Sequence, residues 1–408
     1  MTTLTDVVRF GLSLQRQRLA TRFHGHVRRD DMALLRLRQG RRDPYRIYDR
    51  MREGGGMRLS RLGNWLVTSH PLCDAALRER RLSVRAAGNE MLDLSMLGMD
   101  PPDHTRLRRL AQPAFSPRAM AGYQPMIDRT IDTLLDRAGT RFDLTAGFAA
   151  PLPIAVITEL LGIPDADTAT FTRYGAVIGG ALDGIHSLRQ AGRLATADAE
   201  LRVLLDGLFA LRRRSPGPDI VSRVLAAEGD QIAPHELAPL CILLLVAGFE
   251  TTVNLIGNTV LALLSHPDQW ADLCADPRTL APKAVEETLR WDPPVQVTSR
   301  TAYEHLELAG RPVRPGQMVF ALIGAAGRDP EVYDRPAVFD IHRVPEREHL
   351  AFSAGVHYCV GQPLARLEAV AAIRALAERL PGLRLAGRVR RRNTTVVRGP
   401  ATLPVTVA

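Results

Sequence analysis

The sequence predicts a mainly α-helical protein with small β-sheets placed at its two ends. Three observations carry that reading. From about Pro71 to Pro294 the apolar spacing is helical almost throughout, punctuated by Pro and Gly, with SPGPD at 215–219 the clearest loop. Short strand-like runs flank this block. MRLSRLGNWLVTSH, with a Gly-Asn turn, precedes it, and VQVTSRTA and LELAGRPVRPGQMVFALI come after it. A last long helical pattern runs from about Gly361 to Arg379, and the tail NTTVVRGPATLPVTVA is strand-like again.

The 408 residues are 46% hydrophobic and 24% charged, as in ordinary globular proteins. No window reaches the ~18 uninterrupted apolar residues that would suggest a membrane span, so no transmembrane anchor is expected. MTTLTDVVRFGLSLQRQRL is too polar for a secretory signal, and the expected location is the cytoplasm. The net charge is +9, carried almost wholly by arginine, and residues 1–50 hold 12 Arg against 5 Asp. Nucleic-acid binding is one reading of such a balance. Neither interleaved aromatics nor zinc-finger spacing supports it, so a solvated basic surface or a dock for an acidic protein is preferred. Residues 1–42 read as a basic N-terminal extension, helical in part, able to touch a membrane surface or a partner. DPYRIYDRMREGGG then reads as a helix ending in glycines.

Chemistry-bearing residues come next. Cys73, Cys241, Cys274 and Cys359 lie far apart with no C-x-x-C, which argues against a disulfide framework and against structural zinc. The first three fall in apolar or helical surroundings and read as inert small hydrophobes. Cys359 differs. It lies in FSAGVHYCVG, two residues after His357, just before a helix whose first turn contains Pro363. Free N–H groups and the positive dipole end there favour a thiolate and lower its pKa. Gly355 and Gly361 allow turns that a Cβ would forbid. No nucleotide-binding glycine loop or H-E-x-x-H zinc motif occurs.

Three other segments complete the set. Leu237–Leu264 has one charged residue in 28, Glu250, and would form a core helix ~42 Å long. Its centre is AGFETT, where Ala247, Gly248 and Thr251 share a face. A carboxylate there must be paired or protonated. One reading is a core helix whose Glu250 salt-bridges an arginine while the threonines bond back to i−4 carbonyls; the other is a proton relay to a bound ligand. Glu287 and Arg290 in AVEETLRWDPP pair at i, i+3, with Arg343 in FDIHRVP a candidate third partner. In DPPDHTRLRR, His104 and Arg108 share a helix face suited to an anionic group.

Together these segments resemble the cytochrome P450 family of haem-thiolate monooxygenases, the soluble bacterial kind. The cysteine signature F-G-x-G-x-H-x-C-x-G stands as Phe352 to Gly361, and A-G-x-[DE]-T as Ala247 to Thr251. Glu287, Arg290 and Arg343 match the E-x-x-R and its third position. The resemblance covers roughly residues 43–408 as a single haem domain with the family's triangular-prism helical fold, leaving 1–42 as the extension. Two positions depart from the pattern. Ser353 stands where a glycine is usual, and is expected to adopt an allowed geometry. Gly327 stands where an asparagine is usual, removing a side chain that would bond locally.

The resemblance implies haem b, iron protoporphyrin IX, with Cys359 as the axial thiolate. His104, Arg108, Arg300 and His357 would neutralise the haem propionates. Glu250 and Thr251 would carry protons toward the oxygen being activated. Ala247 and Gly248 would leave room for it, and Phe352 would shield the proximal side. Glu287, Arg290 and Arg343 would be structural. The substrate pocket would draw on Met91, Leu92, Leu94, Met96, Leu97, Val177, Ile178, Ala247, Val295 and Val297. Met and Leu make a deformable apolar wall, which favours a bulky, mainly apolar small molecule, such as a secondary metabolite. With no motif for a flavin or iron–sulfur domain, electrons are expected from a ferredoxin and its reductase, docking near Arg106, Arg109 and Arg366. Hydroxylation or epoxidation is the leading expectation. Oxidative coupling or desaturation, and a haem-binding module without turnover, are the alternatives.

Overall fold

The computed structural model describes residues 4–85, 95–164 and 166–407. Met91, Leu92 and Leu94 lie outside the described residues. The chain opens with α1 (Leu4–His26), α2 (Asp31–Arg36), α3 (Arg38–Arg42) and α4 (Tyr45–Arg52). The Asp30 side chain starts α2 by accepting from Ala33 N at 3.0 Å. The segment before residue 43 is joined to the body of the protein. Met32, Leu34 and Leu35 are buried in one cluster with Tyr45, Tyr48, Met51, Leu66 and Leu322, and Asp31 pairs with both Arg50 and Arg58.

The expected hairpin is β1 (Met57–Leu59) and β2 (Trp65–Val67), succeeded by α5 (His70–Arg78) and β3 (Leu82–Ser83). The helical block holds α6 (Asp103–Ala111), α7 (Pro117–Asp136), the short β4 (Arg141–Asp143), α8 (Pro151–Leu161), α9 (Thr168–Ala181), α10 (Leu188–Arg214), α11 (Ile220–Ala226), α12 (Pro234–Leu264), α13 (Pro267–Ala275) and α14 (Pro277–Trp291). Next come β5 (Thr298–Ala302), the hairpin β6 (Leu306–Leu308) and β7 (Arg311–Val313), β8 (Met318–Ala321) and α15 (Ile323–Ala326). A long irregular stretch leads to α16 (Gln362–Arg379), then β9 (Arg384–Leu385), β10 (Arg390–Arg391), β11 (Pro400–Thr402) and β12 (Pro404–Thr406). The largest sheet runs β1-β2-β8-β5-β3. Its β8 lies parallel to β2 and antiparallel to β5, so strands from before and after the helical block share it.

The main core forms around α12, which packs against α8, α9, α14 and α16. By length and composition α12 could cross a membrane, yet 83% of its most apolar window is buried inside the protein. A helix that is apolar all round finds such a place at the centre of a large core.

One carboxyl in α16 is buried without a partner. Glu368 is fully buried, and neither oxygen is hydrogen-bonded among the described residues. Burial holds it well above the ordinary carboxylate range, so it stays protonated. The folded state keeps a proton that the unfolded chain releases. Its stabilising contribution is therefore full below the ordinary carboxylate pKa and is lost as pH rises through the raised value. Glu368→Gln is expected to unfold at a higher temperature than the parent at mildly alkaline pH, and to flatten the dependence of the midpoint on pH. Thermal denaturation of both proteins over a pH series checks this.

Candidate active site

Cys359 closes the loop that feeds α16, after a single tight turn at Gly355–His357. Gly355 takes φ 68°, and a Cβ there would meet the Leu77 carbonyl oxygen at 3.0 Å. Gly361 needs no such freedom, since its φ is −85°. Contrary to the sequence expectation, its part is played by its N–H, which with that of Gln362 points at the Cys359 sulfur. Ser353 also departs from expectation. It takes φ 65°, where a non-glycine residue costs about 1–2 kcal/mol, and its buried hydroxyl has no partner among the described residues. Two bonds hold the loop in that shape: Ser353 N–H to Leu350 O at 2.8 Å, and Cys359 N–H to Phe352 O at 2.9 Å. Phe352 is buried beneath the Arg366 guanidinium, 4.5 Å over its ring. Crowding by the surrounding residues pushes the Cys359 thiol up, against the Gly361 and Gln362 N–H groups, Arg108 and Arg366, although the residue itself keeps accessible surface. The helix N-terminus alone does not make the thiolate, which corrects the lowered pKa expected from sequence. A cation bound at the sulfur would.

Between Pro239 and Val260, every residue of α12 is buried except Ala247, Gly248 and Thr251. These three share one face, so accessible surface at the middle of a core helix marks the wall of an internal cavity. Gly248 serves a second purpose that the sequence did not suggest: a Cβ there would strike Ile157 of α8 at 2.8 Å, so the glycine sets helix packing. Ala247 is the position that opens to the cavity. Thr251 Oγ1 donates back to Ala247 O at 3.1 Å.

Glu250 points elsewhere. Its carboxylate pairs with Arg392, Nη1 to Oε1 2.8 Å, in the C-terminal segment. Arg392 Nε also donates to Asn254 Oδ1 at 3.0 Å, and Asn254 Nδ2 donates to Glu250 O at 2.7 Å. Gly175 and Gly179 of α9 make the space: a Cβ at Gly175 would lie 2.7 Å from Glu250 Oε2. Burial pushes the Glu250 carboxyl up, and Arg392 pulls it part of the way back. The pairing matches the salt-bridge reading of AGFETT, and Arg392 was missed because it sits in a polar tail with no motif.

Beside the cysteine loop, two imidazoles and two guanidiniums converge. The rings of His104 and His357 are 4.3 Å apart at 52°. His104 Nδ1 and His357 Nε2 are buried with no partner among the described residues. Arg300 is buried, donating only to Thr298 Oγ1 and Ser299 O, and burial pushes it down to about 10. Burial also pulls Arg108 down, and the neighbouring Cys359 is the one group that raises it. Four donors turned inward beside a sulfur, none neutralised by an ion pair among the described residues, form a site for a dianion.

Comparison with known proteins agrees with that geometry. The family model "Cytochrome P450" matches residues 210–379. The polyketide biosynthesis cytochrome P450 PksS of Bacillus subtilis is 35% identical over 396 residues, covering 90% of this chain and 96% of that protein. The chain belongs to the cytochrome P450 family. The ligand-free structure of Mycobacterium smegmatis CYP164A2 superposes at TM-score 0.86 with 40% identity, covering 92% of this chain and 99% of that one. P450BioI, solved with a fatty-acyl-loaded acyl carrier protein, superposes at 0.84 with 38% identity, covering 90% and 98%. Membership makes this P450 a monooxygenase, an oxidoreductase that works with haem, a small-molecule substrate and redox partners. Its own residues fit the haem: the unpartnered His104 and His357 nitrogens and the unpaired Arg108 and Arg300 match two carboxylates beside Cys359.

The E-x-x-R residues come together as the sequence suggested. Arg290 meets both Glu287 oxygens at 2.7 Å, and Arg343 Nε reaches Glu287 Oε1 at 3.3 Å. Arg290 further donates to the carbonyls of Gly327 and Pro336 at 2.7 and 2.8 Å. Gly327 is explained here, since a Cβ would lie 2.0 Å from the Arg290 carbonyl oxygen.

Several pocket and docking residues of this P450 are placed differently from expectation. Val297 is buried in the N-terminal cluster, and Met96 and Ile178 in the main core. Leu97 is exposed, while Val177 and Val295 are half-buried, Val295 in a bridge with Val397. Arg106 is not a free docking cation, because Glu236 holds it at 2.7 Å. Arg366 is likewise held by Glu286 at 2.6 Å. Arg109 is exposed.

Proposed function

We propose that this P450 binds haem b through Cys359 and inserts one oxygen atom into a bulky, mainly apolar small molecule of secondary metabolism, drawing electrons from a ferredoxin and its reductase. The observation that carries the site is the convergence of His104, His357, Arg108 and Arg300 next to Cys359, with no ion pair to any of them among the described residues. When bound, the haem supplies dioxygen binding and cleavage, which thiolate ligation favours. The chain's residues do the rest. Arg108, Arg300, His104 and His357 hold the propionates, and Phe352 with the Arg366 cover limits water near the sulfur. Ala247, on the accessible face of α12, keeps that wall free of bulk. The Thr251 hydroxyl gives up its bond to Ala247 O to pass a proton into the cavity, and Glu250 replenishes it after turning from Arg392 and taking up a proton from water.

On this reading the apolar substrate rests on Val177 and Val295, which are half-buried and so keep apolar surface to offer it. A secondary-metabolite role is supported by the relative named for polyketide biosynthesis. Turnover of the true substrate under isotopically labelled dioxygen tests the reaction type. The expected product carries one labelled oxygen atom. A product without label would establish coupling or desaturation in its place.

A further inference from the structure

A second concave site shares no lining residue with the cysteine loop. It is a half-open groove of about 1240 Å³ between α1, the α2–α4 segment and the loop joining α9 to α10. Arg18, Arg22, Arg36, Arg38, Arg41 and Arg42 line it, and none of the six makes an ion pair among the described residues. Among the described residues the groove's only acid is Asp43, which lies 3.4 Å from Arg46. Arg41 Nε is buried with no partner among the described residues. Asp183 draws Arg36, but its oxygens already accept from Thr395 and Val396 N–H at 2.6–2.9 Å. His186 reports the convergence: burial, then Arg41, with Arg36 and Arg18 adding to it, holds its imidazole below the ordinary range.

Like charges gathered in a concavity repel, and they persist where an anion is to be received. The shape selects the occupant. The volume exceeds the ~300–1,000 Å³ of small-ligand pockets. Among the described residues no Phe, Tyr or Trp lines the groove, only the two imidazoles His26 and His186, so it lacks the large stacking platform of single-strand nucleic-acid sites. Being concave, it cannot lie flush on a flat membrane. Arginine forks match carboxylates in pairs, and a helix ~10–12 Å across is the compact way to present several carboxylates in a row.

We propose that this groove docks the acidic helix of a partner protein, on a face separate from the cysteine side. The position gives the dock a consequence. The α9–α10 loop that carries His186 also carries Asp183, which is bonded to residues 395–396, and Val396 O accepts from Gln296 N beside Val295. A helix seated in the groove bears on a loop tied to the substrate side.

The inference stands on the groove and not on the haem chemistry, so either can fail alone. The test uses the full-length protein as isolated and three fluorescent probes: a helical Ala/Glu peptide, a single-stranded oligothymidine, and vesicles containing phosphatidylserine. Arg38 and Arg42 are exposed, so R38E/R42E spares the core. R118E/R129E on α7 changes the net charge equally at exposed positions outside the groove. The peptide is expected to bind, to weaken with salt, and to weaken about tenfold or more in R38E/R42E, while R118E/R129E stays within about twofold. No peptide binding, equal weakening by both pairs, or tighter binding of the oligonucleotide or the vesicles overturns the proposal.

Discussion

Glu287→Ala is expected to destabilise the folded protein by about 3–5 kcal/mol, the range for removing one partner of a buried ion pair. The geometry places this substitution at the severe end. Glu287 and Arg290 are each nearly fully buried and joined by two bonds at 2.7 Å. Glu287 also accepts from Asp340 N–H at 2.9 Å and from Arg343. Its loss leaves two guanidiniums and a backbone N–H without their shared acceptor. The irregular stretch between α15 and α16 hangs on these groups, because Arg290 holds the carbonyls of Gly327, Pro336 and Val338. That stretch leads into the cysteine loop. Loss of haem content should therefore accompany the lower denaturation midpoint. Chemical denaturation with haem quantification reads both. A midpoint within about 1 kcal/mol of the parent would show that the pair stabilises little beyond its own desolvation.

Glu250→Gln is expected to slow product formation by on the order of 10²-fold, the lower range for removing a positioned proton-transfer group. Haem and substrate binding should change little, since Glu250 lies off the cavity face, against Gly175 and Gly179 and paired with Arg392. Arg392→Ala separates relay from packing. Without the cation, burial is opposed only by the Asn254 hydrogen bond and drives the carboxyl further up. The alkaline limb of the pH–rate profile should then move to higher pH while substrate binding stays constant. Steady-state turnover and pH profiles of both variants check this. Parental turnover in both would leave the pair as a packing contact between α12, α9 and the C-terminal segment.

Much of the fold was legible because a few residues leave one physical solution. A 28-residue stretch with Glu250 as its sole charge must be taken out of water, and here it sits at the centre of the core. The spacing of Glu287 and Arg290 and the arginine at 343 became a buried triad because two charges that close to a core need each other. His104 and His357, far apart in sequence, meet at 4.3 Å. What was not legible depends on tertiary packing. Arg392 reaches Glu250 only because β10 and the turn after it lie against α12 and α9. Gly248 reads as room for a ligand, yet α8 fills that room with Ile157. Arg106 and Arg366 read as free surface cations, yet glutamates on distant elements hold them. Ser353 reads as a residue that avoids a positive φ, yet the Leu350–Ser353 and Phe352–Cys359 bonds impose one.

The central claim is thiolate ligation of a haem by Cys359, and the absorption spectrum of the reduced protein with carbon monoxide tests it most directly. The parent is expected to show a strongly red-shifted Soret band that disappears in Cys359→Ser. A band typical of histidine-ligated haem in the parent, or a red-shifted band that survives the substitution, would contradict it.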